Sequence, residues 1–215
     1  MADPREIQFD LLHESNLLID CVYRGGTKGH QGDDPLHPLL GVGNAGGFRP
    51  VGKGATSYAA IFSTGAEVDW RDRFTNSGAT FVYYGDQRTP GSDLLETPRG
   101  GNRLLTEVFE KASRDSAYDR AQIPPLFLFR KTGSGRDVTF GGLLVPRASS
   151  ARRSSGGLVI RSTETPGGTV LNYEATFAVL RPPVIDRAWF DDLRAGRPMT
   201  RNGPAEWFKW VAIGA

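Results

Sequence analysis

Short strand-type segments punctuated by glycine constrain this chain more than any other feature. Leu126 to Arg130 and Val138 to Val145 are apolar runs on either side of Thr132-Gly-Ser-Gly135, which reads as a hairpin. Leu158 to Thr163 and Asn172 to Leu180 flank Pro166-Gly-Gly168 in the same way. In the second of these, Tyr173, Ala175, Phe177 and Val179 alternate with Asn172, Glu174 and Thr176, the period of a strand with two unlike faces. Ser57 to Phe62, Thr80 to Tyr84 and Leu17 to Tyr23 are further strand segments.

Helical patterns are fewer. Asn102 to Ser113 sets Leu104, Leu105, Val108, Phe109 and Ala112 on one stripe. Asp186 to Ala195 begins with an Asp cap and stops before Gly196, and Pro204 to Val211 is a short Trp-rich helix. Strands do not alternate regularly with helices, which disfavours a doubly wound sheet. The expected class is α+β: a curved, mostly antiparallel sheet or partial barrel with flanking helices. Gly25 to Gly54 and Val68 to Ser77 show little regular pattern, and Ala148 to Gly157 reads as a basic loop tip.

Several function classes are excluded early. No apolar run approaches the length of a membrane span, and the charged N-terminus lacks a secretory h-region, so the cytoplasm is the expected compartment. Cys21 is the only cysteine, and His13, His30 and His37 are not at ligand spacing, so neither a disulfide nor a metal site is expected. No cofactor is expected either. The formal net charge is only +2, but Leu126 to Arg161 holds seven cations against Asp137 alone. Such a stretch is either a solvated face or a phosphate-binding surface.

Enzyme motifs fail on inspection. Gly47 to Gly54, GFRPVGKG, approaches a phosphate-binding loop, but Gly54 stands where a metal-holding hydroxyl belongs, and ATSYAAIF after it reads as a strand. A nucleotide hydrolase on this loop remains the alternative from the enzyme class. No Glu or Gln precedes a Lys at the two-residue spacing of the common metal-dependent nuclease core, and no nucleophile elbow is present. The chain is therefore not expected to be an enzyme.

Asp69 to Arg88, DWRDRFTNSGATFVYYGDQR, is the richest segment. It joins a carboxylate-bearing loop to a strand ending in paired tyrosines. A site for an extrahelical base needs an aromatic face to stack on it and a carboxylate to accept from its exocyclic amine. Asp69, Trp70, Asp72, Tyr83, Tyr84 and Asp86 form the candidate set. Tyr83 and Tyr84 point to opposite strand faces, so at least one is expected in the core. Candidate DNA contacts are Asn44, Phe48, Arg49 and Lys53 in GNAGGFRPVGKG, then Arg88, Arg99, Lys131, Arg136, Arg152 and Arg153.

The strings FSTGAEVDWRD, TFVYYG and GGNRLLTEVF resemble the central part of an SRA domain. GNAGGFR, YYGDQRTPGSDLLETPRGGN, IPPLFLFRKTGSGRDVTFGGL and VIDRAWFDDLRAG resemble the N-terminal recognition domain of AspBHI/MspJI-type modification-dependent restriction endonucleases, from about Gly43 to Gly196. The resemblance implies a PUA-like β-barrel that flips 5-methylcytosine out of duplex DNA. It places Tyr83 in the pocket, with Asp69 or Asp72 as the pocket carboxylate, and Tyr84 where the family has Thr. It also implies residues 1–196 as the recognition domain and 197–215 as a helical segment or linker toward a nuclease domain fused in a parent protein. A PUA-like reader of modified RNA is the alternative among binding modules.

Overall fold

The computed structural model describes residues 5–133, 135–147 and 157–214. In chain order its strands and α-helices are β1 (Glu6–Ile7), β2 (Leu17–Leu18), β3 (Val22–Tyr23), α1 (Leu36–Leu40), β4 (Phe48–Val51), β5 (Tyr58–Ser63), β6 (Arg73–Thr75) and β7 (Thr80–Tyr84). There follow α2 (Gly101–Ser113), α3 (Ala117–Arg120), β8 (Leu126–Lys131), β9 (Val138–Pro146), β10 (Leu158–Thr165), β11 (Gly168–Leu180), β12 (Val184–Ile185), α4 (Arg187–Arg194) and α5 (Ala205–Ile213). They form two compact units.

The first unit comprises Met1–Thr64, Pro124–Leu143 and Leu180–Lys209. Its paired strands run β4-β5-β8-β9, with β3 beside β9 and β1 beside β3. Leu126, Phe127, Leu128 and Phe129 of β8 are all fully buried, as expected of a continuous apolar strand covered on both faces. Tyr58 packs edge-on against Phe127 and Phe190, with ring centroids 5.8 and 5.5 Å apart, and its hydroxyl donates to Leu40 O at 2.6 Å. Helix α4 starts as expected, with the Asp186 carboxylate accepting from Ala188 N at 2.8 Å. Gly196, at φ 72°, ends it in the left-handed region.

The second unit comprises Gly65–Ile123, Leu144–Val179 and Trp210–Ala215. Here β10 and β7 both pair antiparallel with β11, and β6 pairs antiparallel with β7. Helix α2 buries Leu104, Leu105, Val108 and Phe109, and Phe109 meets Phe177 of β11 at 5.2 Å.

The sheet is mixed: β5 pairs parallel with β8 and β1 parallel with β3, while β3–β9, β4–β5, β6–β7, β7–β11 and β10–β11 are antiparallel, as the sequence leads one to expect. One expectation needs correction. The segment Leu17 to Tyr23 is not one strand. Asp20 takes φ 58°, Cys21 N donates back to Leu18 O, and the halves pair with different partners.

Candidate nucleic-acid interface

In the second unit the two tyrosines at the end of β7 part company, as strand alternation requires. Tyr83 is 4% exposed and stacks on Phe81, with centroids 6.3 Å apart and planes 27° apart. Tyr84 is half-buried, and its ring lies 5.5 Å from that of Trp70. The Tyr84 hydroxyl donates to Glu174 Oε2 at 2.6 Å and accepts from Arg73 Nη1 at 3.3 Å. Burial, and then the bond to Glu174, pushes the Tyr84 phenol above its usual range. Burial also pushes Glu174 upward, but hydrogen bonds from Arg161 and Tyr84 outweigh it and hold the carboxyl below its ordinary value.

Asp72 is fixed to this strand end. Its Oδ1 accepts from Tyr84 N at 3.0 Å, which ties a carboxylate to the backbone of the residue whose ring meets Trp70. Asp69 is exposed and makes no hydrogen bond or ion pair among the described residues. The Arg88 guanidinium lies 5.9 Å from the Trp70 ring centre and donates to Gly85 O and Gln87 O. Asp86 is placed differently from the aromatic pair: its carboxylate accepts from Gly101 N and Asn102 N at the start of α2, where the helix dipole favours an anion. Arg99 is exposed in the loop before that helix.

The first unit brings other expected contacts around a cavity of about 590 Å³, lined among others by Asn44, Arg49, Phe62, Lys131 and Arg136. Two expected DNA contacts are corrected. Phe48 is 1% exposed and lies in the core, and Arg49 is 3% exposed. Arg49 bonds Asp34 at 2.7 Å and donates to Gly46 O and Gly43 O at 2.8 and 3.2 Å. A guanidinium out of water needs such partners, so Arg49 supports the loop rather than meeting solvent. Lys53 is exposed at the turn between β4 and β5.

That turn also lacks the strand-loop-helix form of a nucleotide-phosphate loop. GFRPVGKG forms β4 and a hairpin turn closed by Ser57 N donating to Val51 O at 2.7 Å, and β5 follows. No helix opens after Lys53, so the amides and dipole that cradle phosphates in such loops are missing. Arg152 and Arg153 lie outside the described residues. Among the described residues no cluster of His, Cys, Asp and Glu could hold a metal ion, and no helix is long and apolar enough to cross a membrane.

Asp34, Arg73, Arg161 and Glu174 escaped the sequence reading. Glu174 carried only its place on the polar face of an alternating strand; register sets it opposite Tyr84. Asp34 carried none, because its partner is fifteen residues away across a stretch without periodicity.

The family model described as "Restriction endonuclease AspBHI N-terminal" matches residues 17–215. Among solved structures, "DNA modification-dependent restriction endonuclease AspBHI" is 34% identical with a TM-score of 0.87, over 98% of this chain and 96% of that one. "DNA recognition domain of the cytosine modification-dependent restriction endonuclease LpnPI" is 31% identical with a TM-score of 0.84, over 98% and 94%. "MspJI Restriction Endonuclease in Complex with 27-mer Oligonucleotide" is 23% identical with a TM-score of 0.65, over 92% of this chain and 51% of that one, a likeness of fold alone. No curated protein sequence matches. With nearly the whole length matched by the family model and by two structures above 30% identity, this chain belongs to the AspBHI N-terminal family of restriction endonucleases.

Proposed function

We propose that this chain recognises double-stranded DNA carrying modified cytosine, with 5-methylcytosine as the ligand, and receives the base outside the stack at the end of β7. The observation that carries this reading is the hydrogen bond from Tyr84 N to Asp72, which holds a carboxylate beside the Trp70–Tyr84 pair. A carboxylate so placed accepts from the cytosine amine, while aromatic side chains stack on the base. Asp72 is the better acceptor of the two loop aspartates, because the strand orients it and nothing orients Asp69. Tyr83, which the family resemblance implies for the pocket, stacks on Phe81 on the other strand face.

The methyl group alone contributes little: burying it stabilises by about 0.8 kcal/mol, roughly fourfold in affinity. Larger selectivity requires that the site be shaped against an unmodified base. Exposed cations at Lys53, Arg99, Lys131 and Arg136 contact phosphates and supply affinity common to all duplexes. Strand cleavage belongs to a nuclease domain of a parent protein rather than to these residues.

The test is an anisotropy titration of duplexes that differ only in one methylated cytosine. Several-fold tighter binding of the methylated duplex is expected. Equal affinity across several sequence contexts would reject the proposal.

A further inference from the structure

Beyond the modified base, the first unit has a cavity of its own with a recognisable division of chemistry. Its lining carries Arg49, Lys131 and Arg136 against Asp34 alone, a net two positive charges. Asp34 is already neutralised by Arg49 at 2.7 Å. The other nearby anion, Asp137, accepts from Gly25 N at 2.8 Å and pairs with Arg24 at 2.5 Å. Lys131 and Arg136 are thus exposed and make no ion pair among the described residues.

Described residues of both segments that edge the cavity are bonded to their surroundings. Arg49 grips Gly43 O and Gly46 O, the two sides of Asn44, so the backbone bearing that carboxamide is fixed by a buried ion pair. The turn between β8 and β9 is closed by Thr132 N donating to Asp137 O at 3.0 Å. Gly25 packs against it so closely that a Cβ there would lie 2.8 Å from Arg136 Cβ. Asn44 itself is half-buried, and its side chain makes no hydrogen bond among the described residues. An amide with unused donor and acceptor on a backbone already held in place can read a base edge, and ordering that backbone before binding lowers the entropy lost on association.

We infer that this cavity takes one nucleotide of the bound DNA other than the modified cytosine, with its phosphate on Lys131 and Arg136 and its base edge on Asn44, making Asn44 the residue that sets a flanking-base preference. A carboxamide offers one donor and one acceptor, the complement of a base edge, whereas a phosphate has only acceptors. The cations and the amide therefore read different parts of one nucleotide. Phe62 and Val138 give the cavity its apolar surface. The inference rests on the DNA-recognition reading above and extends it to the sequence around the modified base.

The test is a titration of wild type, Asn44→Ala and Lys131→Ala/Arg136→Ala against duplexes in which every flanking position is varied, each made with and without the central methyl. Wild type should discriminate about tenfold at one flanking position, the scale of a good base-edge contact. Asn44→Ala should reduce that discrimination to within about twofold while the ratio of methylated to unmethylated affinity stays unchanged. The double variant should weaken every duplex alike and reduce the salt slope by about one, because both cations neutralise the same phosphate. Flanking discrimination that survives in Asn44→Ala, a loss equal across all flanks, or no discrimination in wild type overturns the inference. A flanking preference that depends on Asn44 in a protein indifferent to methylation would sustain the inference and reject the modified-cytosine reading instead. Thermal denaturation of Asn44→Ala serves as the folding control.

Discussion

Gly85 lies directly against the side-chain amide of Asn102: a Cβ on Gly85 would sit 1.9 Å from Asn102 Oδ1 and 2.4 Å from Asn172 Oδ1. Asn102 is fully buried, accepts from Asp86 N at 3.0 Å and donates to Leu94 O at 2.7 Å. Asn172 donates to Gly85 O at 2.9 Å. The glycine therefore lets two carboxamides close around the chain immediately after Tyr84.

Gly85→Ala forces that packing apart. Overpacking of this kind costs about 1–3 kcal/mol. For a chain of this size each kcal/mol lowers the midpoint by roughly 2–4 °C. Thermal denaturation should show a drop of several degrees, and the preference for methylated DNA should fall because Tyr84 is the adjoining residue. An unchanged midpoint would show that the two amides give way without cost.

The two loop aspartates should separate cleanly. Asp72→Asn keeps an oxygen for Tyr84 N but replaces the anionic acceptor, so most of the methyl preference should disappear while unmodified duplex binds as before. Asp69→Ala removes an exposed side chain without partners and should leave both stability and preference unchanged. A titration in which Asp69→Ala loses the preference and Asp72→Asn retains it would exchange their roles.

Arg49 and Asp34 are each under a tenth exposed and bonded at 2.7 Å. Removing one partner strands a buried charge, at a cost of about 3–5 kcal/mol. Asp34→Leu and Arg49→Met should each lower stability sharply in urea denaturation, and the double substitution should lower it less than the sum of the two. Additive losses would mean that the pair is not coupled.

The Tyr84–Glu174 bond sets a pH window. Glu174 has a depressed folded-state pKa, so its contribution is present above the unfolded value of about 4.3 and lost as pH falls through the folded one. Tyr84 has a raised folded-state pKa, so its contribution is present below the unfolded value of about 10 and lost as pH rises through the folded one. Stability measured against pH should therefore decline at both ends. Glu174→Gln should flatten the acid limb, and Tyr84→Phe the alkaline limb. Profiles identical to wild type would show that other groups govern both limbs.

Local pattern was enough to read the elements whose burial is one-sided or complete over several consecutive residues. The sequence alone predicts β7 at its observed bounds, α2 to within one residue at its start, and the β8–β9 hairpin with its glycine turn. It also predicts the Asp186 cap of α4. In each case the deciding interaction lies within about ten residues, where periodicity and turn chemistry report it. The acidic loop and paired tyrosines were legible for the same reason.

Elements decided by distant partners were not legible. Strand β4 contains Pro50, which argues against a strand, yet β4 is a terminal strand where a missing N–H is tolerated. Leu17 to Tyr23 reads as one apolar run, and only the partners β12, β1 and β9 break it at Asp20. Arg49 reads as a surface cation until Asp34 and two carbonyls enclose it. Glu174 becomes a site residue only because register sets it opposite Tyr84. The sequence by itself determined the elements whose periodicity is local, β7, α2, the β8–β9 pair and the cap of α4. Tertiary structure decided which charges are buried in pairs and which stay open to a partner, because desolvation and pairing depend on residues that no local window contains.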